Sequence, residues 1–295
     1  MDEFNEAIRA SAMLVSYRTS AWSARIKDPA AAKAAAQALG ITTSALSTSK
    51  NLMDGADTRL RAVVSAQEAG RMIHAQFTLP WTTDSGSRGP RMLPTTSWLP
   101  YMKKIAGAKT VYDKALADFL SHYEADRDAA QARINMVGDP LHVYPPPEKI
   151  EGFFTIAIDF SPIPAGTHFR GLPDQFREQL EAAYEGKMRT RMAGAMSDAF
   201  ARARDAVENL AERLEQPEPT FKSAAVENVR ELAPMLRAWN LGNDEDLASL
   251  ASQVEKLVDG EDMKSLKASE DTRRLVAREG RAIVAWIDGL GVIQP

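Results

Sequence analysis

The chain has 295 residues, of which 44% are hydrophobic, no cysteine, and a formal net charge of −4. This length and hydrophobic content suffice for one large or two small globular cores. The lack of cysteine excludes disulfides, thiolate metal sites and thiol nucleophiles. The charge is divided unevenly, since residues 1–110 have a balance of +6 (14 Lys+Arg against 8 Asp+Glu) and residues 111–295 one of −10 (22 against 32).

No secretory signal or membrane span is predicted. The chain opens with the acidic, helix-favouring sequence MDEFNEAIRASAML, whereas a secretory signal has a basic segment followed by an apolar one. The longest apolar runs are far shorter than the ~18 residues that a transmembrane helix needs. We therefore expect a cytoplasmic protein.

Four elements are predicted in the first part of the chain. Alternating apolar residues in Met13–Trp22 favour a strand. Asp28 and Pro29 have the residue types of a helix start, and Gly40 that of a helix end, so a helix is predicted over residues 29–39. A short helix to about Met53 and a longer one over residues 57–77 follow.

The stretch Phe77–Tyr101 is the predicted contact surface. It reads FTLPWTTDSGSRGPRMLPTTSWLPY, with four prolines, two tryptophans and two arginines. A loop of about 20 residues without secondary structure is uncommon in a compact domain unless it is functional or disordered, and two tryptophans argue against disorder. Residues 59–109 contain 8 basic and 2 acidic residues, so the surroundings of this loop are predicted to be basic.

Beyond the loop, the pattern predicts long helices and one further strand. A helix from Ser97 or Pro100 to about Val137 is followed by a polyproline connection, and FFTIAIDF at residues 153–160 alternates as a strand does. Helices are predicted over residues 173–214, 221–239, 245–258 and 269–290. Because an isolated strand leaves its hydrogen bonds unpaired, residues 13–22 are predicted to pair with residues 153–160.

The predicted fold class is therefore α+β, predominantly helical, with long helices around a small non-local antiparallel β-ribbon. Three regions are predicted. Residues 1–138 hold the first strand and helices with the loop at 77–101, residues 139–172 form a polyproline linker and strand, and residues 173–295 form an acidic helical region.

One functional hypothesis is nucleic-acid binding, most plausibly of single-stranded DNA, because cations beside aromatic rings form the usual single-strand groove. The residues predicted to contact nucleic acid are Arg59, Arg61, Trp81, Arg88, Arg91, Trp98, Lys103 and Lys104. A second interpretation has both tryptophans buried as loop anchors and the arginines capping helix carbonyls. The excess charge also fits an ordinary solvated helix face.

The other functional hypothesis is a helical adaptor or oligomeric scaffold without catalysis. Met188, Met192 and Met196 recur every four residues and are the predicted partner-binding face, with packing inside the protein as the alternative. A homo-oligomer is expected, since the helices carry more apolar surface than one thin bundle buries.

A family resemblance is carried by five segments in order: LVSYRTSAWSAR, FTLPWTTDSGSRGPRMLPTTSWLPYM, YDKALADFLSHY, FTIAIDFSPIPAGTHFR and VENVRELAPML. In these the chain resembles the DUF3150 family of bacterial and bacteriophage proteins, to which no activity is assigned. The resemblance implies a phage or prophage setting in a bacterial host. It also implies MoxR-like AAA+ ATPases and von Willebrand A-type proteins as partners.

The residue inventory argues against enzyme chemistry. Neither HExxH nor two histidines four apart is present, and no phosphate-binding glycine loop carries its lysine. Asp244, Glu245 and Asp246 are interpreted as the acidic start of a helix, where they favour the helix dipole. No catalytic residue, metal or cofactor is predicted.

Overall fold

The computed structural model describes residues 3–53, 58–82, 89–134, 143–165, 173–216, 223–259, 266 and 269–293. Its helices and strands confirm a predominantly helical α+β fold. In chain order they are α1 Glu3–Ser11, β1 Ala12–Ser20, β2 Arg25–Lys27, α2 Pro29–Leu39, β3 Ser49–Asn51, α3 Thr58–Phe77, β4 Leu79–Pro80, β5 Arg91–Pro94, α4 Trp98–Ile134, α5 Pro147–Ile150, β6 Thr155–Pro162, α6 Asp174–Leu214, α7 Ser223–Trp239, α8 Glu245–Leu257 and α9 Glu270–Leu290.

Local capping chemistry sets several helix ends where the sequence predicts them. The Asp28 carboxylate accepts a hydrogen bond from the Ala31 amide at 3.0 Å, and Gly40 ends α2 in the left-handed conformation at φ 68°. The Asp244 carboxylate caps α8 in the same way, accepting from the Leu247 amide at 2.8 Å. The acidic run at 244–246 is thus a helix start, as predicted.

The main sheet is antiparallel, with strand order β4-β5-β1-β6. The predicted pairing of the first strand with the strand near residue 155 is confirmed, because β1 and β6 are neighbours. On its other edge β1 pairs with β5, with Met13 opposite Leu93 and Val15 opposite Arg91. The prediction missed β4 and β5, and the stretch 77–101 is therefore no loop without secondary structure.

The predicted helix from Thr42 or Thr43 to Met53 is wrong. A single 3-10 turn covers Thr43–Ala45, and β3 follows in antiparallel pairing with β2. The Asp28 amide donates to the Thr48 carbonyl at 3.1 Å, and the Thr48 hydroxyl donates to the Asp28 carbonyl. These two hydrogen bonds draw the segment into a hairpin-like arrangement that its sequence alone did not indicate.

The chain divides into two compact units that are discontinuous in sequence. Unit 1 comprises Met1–Ser16, Ala75–Tyr101 and Asp159–Pro295, and unit 2 comprises Tyr17–His74 and Met102–Ile158. This division does not follow the chain in linear order, whereas the three predicted regions do.

Unit 1 has its core among α6, α7, α8 and α9. The helix α6 packs against both α7 and α9, and α7 packs against α8. Phe200, Leu236 and Trp239 are fully buried among them. At Gly280 of α9, an added Cβ would lie 3.4 Å from side-chain atoms of Val207 and Ala211, so α9 and α6 approach each other closely at this glycine.

Unit 2 has an aromatic core. The ring centroids of Trp22 and Tyr123 are 5.9 Å apart in an edge-on arrangement, and those of Phe119 and Phe154 are 5.4 Å apart. The Tyr123 hydroxyl donates to the Pro145 carbonyl at 2.7 Å. Burial raises the pKa of Tyr123 to about 12, so this phenol stays protonated and able to donate at neutral pH.

Candidate functional site

Trp81 is an internal anchor of unit 1. Its side chain is 4% exposed and belongs to the hydrophobic core. The Arg191 guanidinium lies over the indole, 5.1 Å from the ring centroid, which gives a cation–π contact within the protein. The prediction that Trp81 is a stacking surface for bases is wrong, because the ring face is already covered.

Arg91 closes the β4–β5 hairpin. Its Nε donates to the Thr78 hydroxyl at 2.7 Å and its Nη2 to the Thr78 carbonyl at 2.8 Å. Burial, with a smaller contribution from Arg202, lowers the pKa of Arg91 to about 10, so the side chain is still charged at neutral pH. It is held by the protein itself, contrary to the predicted role as a phosphate contact.

Two further side chains satisfy carbonyls at the end of α3. Arg202 Nη1 donates to the Ala75 carbonyl at 2.6 Å, and Trp239 Nε1 donates to the Phe77 carbonyl at 3.2 Å. The last carbonyls of a helix lack partners inside the helix and carry partial negative charge, so cations are favourable there. Neither residue was among the predicted contacts, whereas Arg91, which donates to the carbonyl of Thr78 just after α3, fits the alternative interpretation of the loop arginines as caps.

Arg59 is also engaged within the protein. In unit 2 its Nη1 donates to both carboxylate oxygens of Asp126 at 2.8 and 3.0 Å, and its Nε lies 3.4 Å from an oxygen of Asp118. Two carboxylates neutralise this cation, which removes most of its attraction for phosphate. The predicted nucleic-acid contact at Arg59 is not favoured by this geometry.

The other predicted nucleic-acid contacts differ in exposure and place. Arg61, Lys103 and Lys104 are exposed in unit 2, and Trp98 is 42% exposed in unit 1. Arg88 lies outside the described residues. Nucleic-acid binding therefore stays a prediction, but Trp81 and Arg91 no longer support it.

The methionine face of α6 is core. Met188 is fully buried and Met192 is 3% exposed, while Met196 is partly buried against the same cluster. Burial gives these side chains the packing role that was the alternative prediction rather than partner binding, and they share their core cluster with Leu79, Trp81 and Ile163.

A groove between α8 and α9 is the candidate site of unit 1. Its cavity measures about 400 Å³. Leu257 and Ile283 are buried and form an apolar floor, and Trp286 is partly exposed beside them. The remaining lining residues are Gln253, Lys256, Glu279 and Ala282.

One more exposed apolar side chain lies on the same face of α9 beyond the cavity, with Glu279 between it and Ala282. Leu275 is 45% exposed and lies seven residues, or two helical turns, before Ala282. The stripe Leu275–Trp286 is about 16 Å long at 1.5 Å per residue. Its rim carries one cation, Lys256, and one anion, Glu279, neither of which has an ion-pair partner among the described residues.

Helix α9 is held in place on its other side. Arg204 Nε donates to the Asp288 carboxylate at 2.7 Å, and Arg281 Nη2 donates to the Glu215 carboxylate at 2.9 Å. Exposed ion pairs of this kind contribute little stability by themselves. Together with the close approach at Gly280 they fix α9 on α6, which leaves the groove-facing side of α9 accessible.

No protein-family model, curated protein or solved structure matches this chain. The resemblance to the DUF3150 family therefore stays a prediction.

The described residues offer no cluster of three or more histidines, aspartates or glutamates that would hold a metal ion. None of their helices combines the length and apolar character that a membrane crossing requires. His142 and His168 lie outside the described residues. The groove has the chemistry of a binding surface, since an apolar floor with a charged rim provides contact area and orientation.

The groove was missed in the sequence because each of its residues has an ordinary local explanation. Leu275, Ala282 and Trp286 recur on one face of α9, and such a pattern normally indicates a face packed against the core. A usable signal was present, since α9 also carries the second apolar stripe formed by Val276, Ile283 and Ile287. Two apolar stripes on one helix indicate two partners.

Proposed function

We infer that this chain is a non-catalytic helical adaptor that binds an amphipathic helix of a partner protein in the groove between α8 and α9. The observation that carries this proposal is the exposed apolar stripe of α9 beside the cavity, with Trp286 partly exposed in its wall. Amphipathic helices bind in apolar grooves through residues spaced three and four apart. Partly exposed tryptophans at the centre of such a groove are frequent binding hot spots.

The rim defines the polarity of the helix that fits. Lys256 on α8 favours a carboxylate on one edge of the bound helix, and Glu279 on α9 favours a cation on the other edge. These charges are solvent-exposed, so they contribute orientation and association rate more than affinity. The apolar stripe of the partner provides the affinity.

The partner class comes from the family resemblance. It implies a phage or prophage protein in the cytoplasm of a bacterial host, working beside a MoxR-like AAA+ ATPase and a von Willebrand A-type protein. The ATPase is the first partner to test, because an adaptor that binds without catalysis needs an enzyme to act with.

Replacing Ala282 with arginine should weaken ATPase binding at least tenfold, because the long charged side chain would occupy the groove and displace the apolar contacts of a bound helix. Ala285 on the same helix is exposed but does not line the groove, so Ala285→Arg is the matched control and should bind as the unmodified chain does. Biolayer interferometry with the immobilised chain and the MoxR-like ATPase of the same genome measures both.

Circular dichroism should confirm that both variants fold. If the two variants bind the ATPase with equal affinity, the groove is not the binding site. If the unmodified chain does not bind the ATPase, the ATPase is not the partner.

Nucleic-acid binding is a lesser proposal. It is supported by the exposure of Arg61, Lys103 and Lys104 in unit 2 and, separately, by that of Trp98 in unit 1. A salt titration with a labelled single-stranded oligonucleotide tests it, since binding through phosphates weakens steeply with ionic strength. An absence of binding at low salt would eliminate it.

A further inference from the structure

No element of the described residues covers the first part of α6, which forms a helical arm. None of residues 174–187 is buried, and the buried residues of this helix begin at Met188. Phe176 is 51% exposed and Leu180 is 41% exposed. At 1.5 Å per residue this segment, the α6 arm, is about 21 Å long.

The α6 arm has an apolar stripe of its own. Because an α-helix turns about 100° per residue, Phe176, Leu180 and Ala183 lie within about 60° of one another, whereas Met188 is about 120° from Phe176. The stripe therefore points away from the face that the rest of α6 buries in the core. Exposed phenylalanine and leucine at helical spacing mark a face that gains stability when it is covered.

The contacts of the α6 arm show where its free part begins. The Tyr184 hydroxyl donates to the Pro164 carbonyl at 2.8 Å, which ties the inner end of the arm to unit 1. Farther out, Arg177 pairs with Asp174 at 2.7 Å and approaches Glu181 at 3.9 Å. Both are contacts within the helix, and they support it without covering the stripe.

We propose that the α6 arm of one copy of this chain binds in the α8–α9 groove of a second copy. The proposal rests on the function inferred above, since it names the helix that the groove takes up. One copy carries both an amphipathic helix that no described element covers and an apolar groove, and the shorter stripe fits within the longer one. The stripe from Phe176 to Ala183 is about 10 Å long, against about 16 Å for the α9 stripe from Leu275 to Trp286.

One charge beside the arm stripe is complementary to a charge of the groove. Lys187 lies one turn beyond Ala183 on the line of the arm stripe, whereas Glu181 lies about 140° from Phe176, on the other side of the helix. The groove offers Lys256 on α8 and Glu279 on α9. Lys187, Lys256 and Glu279 have no ion-pair partner among the described residues, so each is available for a contact between copies. An arm that lies along the groove can place Lys187 beside Glu279 of the second copy.

This contact is head-to-tail, because it joins two different surfaces. Each added copy therefore brings a new unfilled groove or a new arm, and assembly continues into a ring or an open chain. The contact area is small, so the expected affinity is weak and the assembly depends on protein concentration.

Two variants separate the surfaces. Leu180→Glu places a charge on the arm stripe and leaves the groove intact, and Ala282→Arg blocks the groove and leaves the arm intact. By size-exclusion chromatography with light scattering at about 100 µM, the unmodified chain should exceed its monomer mass of 32.3 kDa. Each variant alone should be a monomer, and a mixture of the two should form a dimer and nothing larger.

The dimer in the mixture is the decisive result, because it needs one intact arm and one intact groove and shows that both variants are folded. Matched controls are Ala182→Glu on the arm and Ala285→Arg on α9. Both positions are exposed and lie off the proposed contact, so both controls should assemble as the unmodified chain does.

Other outcomes would overturn the proposal. Self-association of Ala282→Arg alone would indicate arm-to-arm pairing, self-association of Leu180→Glu alone would indicate pairing through another surface, and a monomeric unmodified chain would exclude the contact altogether. The self-assembly proposal and the adaptor proposal can fail independently. If the chain is a monomer that binds the ATPase through the groove, only the self-assembly proposal is wrong. If the chain assembles but binds no partner protein, only the adaptor proposal is wrong.

Discussion

Replacing Trp239 with alanine should destabilise unit 1 by about 3–5 kcal/mol, the usual cost of deleting a large buried aromatic side chain. Trp239 is 1% exposed. Its indole Nε1 donates to the Phe77 carbonyl at 3.2 Å, and the Arg202 guanidinium lies 5.3 Å from the ring centroid. The substitution therefore removes packing, a cap on the end of α3 and the apolar face of a cation–π contact together.

Guanidinium unfolding followed by circular dichroism measures this loss. Trp239→Phe keeps much of the packing but removes the hydrogen bond from Nε1 to the Phe77 carbonyl, so it should cost about 1–3 kcal/mol. Trp286→Ala is the matched tryptophan control and should cost less than Trp239→Ala, because Trp286 is already partly exposed. Equal losses for the two tryptophans would contradict the assignment of Trp239 to the core and Trp286 to a surface groove.

Replacing Gly70 with alanine should destabilise unit 2 by about 1–3 kcal/mol. The added Cβ would overlap the hydroxyl of Tyr17 and lie 2.9 Å from its ring carbon Cζ. The Tyr17 ring is stacked on His74 with centroids 5.7 Å apart, so the phenol cannot move aside without losing this contact. Thermal unfolding of the variant measures the loss.

Gly107→Ala is the matched control for Gly70→Ala. Both glycines lie inside long helices, but a Cβ at Gly107 meets nothing within 4 Å. Alanine there should stabilise the protein by up to about 1 kcal/mol, because it is a better helix former than glycine. Adding Tyr17→Phe to Gly70→Ala should recover part of the loss by removing the overlapping oxygen. A destabilised Gly107→Ala, or an unaffected Gly70→Ala, would contradict these contacts.

The elements whose signals are local could be predicted from the sequence. Asp28, Pro29 and Gly40 define the ends of α2 by their own chemistry, and Asp244 does so for α8. The β1–β6 pairing followed from simple alternation in two segments and from the need of each strand for a partner. Elements that depend on a distant partner could not be predicted, because β4 and β5 have only two and four residues. β5 is a strand because it pairs with β1, and β4 because it pairs with β5.

The candidate site could be predicted only in part, because residue type does not reveal burial. Trp81 and Trp98 lie in the same proline-rich stretch, yet one is 4% exposed and the other 42%. Arg91 and Arg202 are cations that the end of α3 attracts, and a sequence does not show which helix end lies near which side chain. The interleaved units add to this difficulty, since unit 1 draws its residues from three separate segments.

Uptake of a helix by the α8–α9 groove is tested most directly by thiol labelling, because the chain has no cysteine of its own. Ala282→Cys places one thiol in the groove, and Ala285→Cys places one on the exposed side of the same helix. Each variant is labelled with a maleimide alone, with an excess of the cysteine-free chain, and with the AAA+ ATPase. We predict that a bound helix slows labelling at position 282 at least tenfold and leaves position 285 unchanged. If position 282 is labelled equally fast alone, with the cysteine-free chain and with the ATPase, then the groove does not bind a helix.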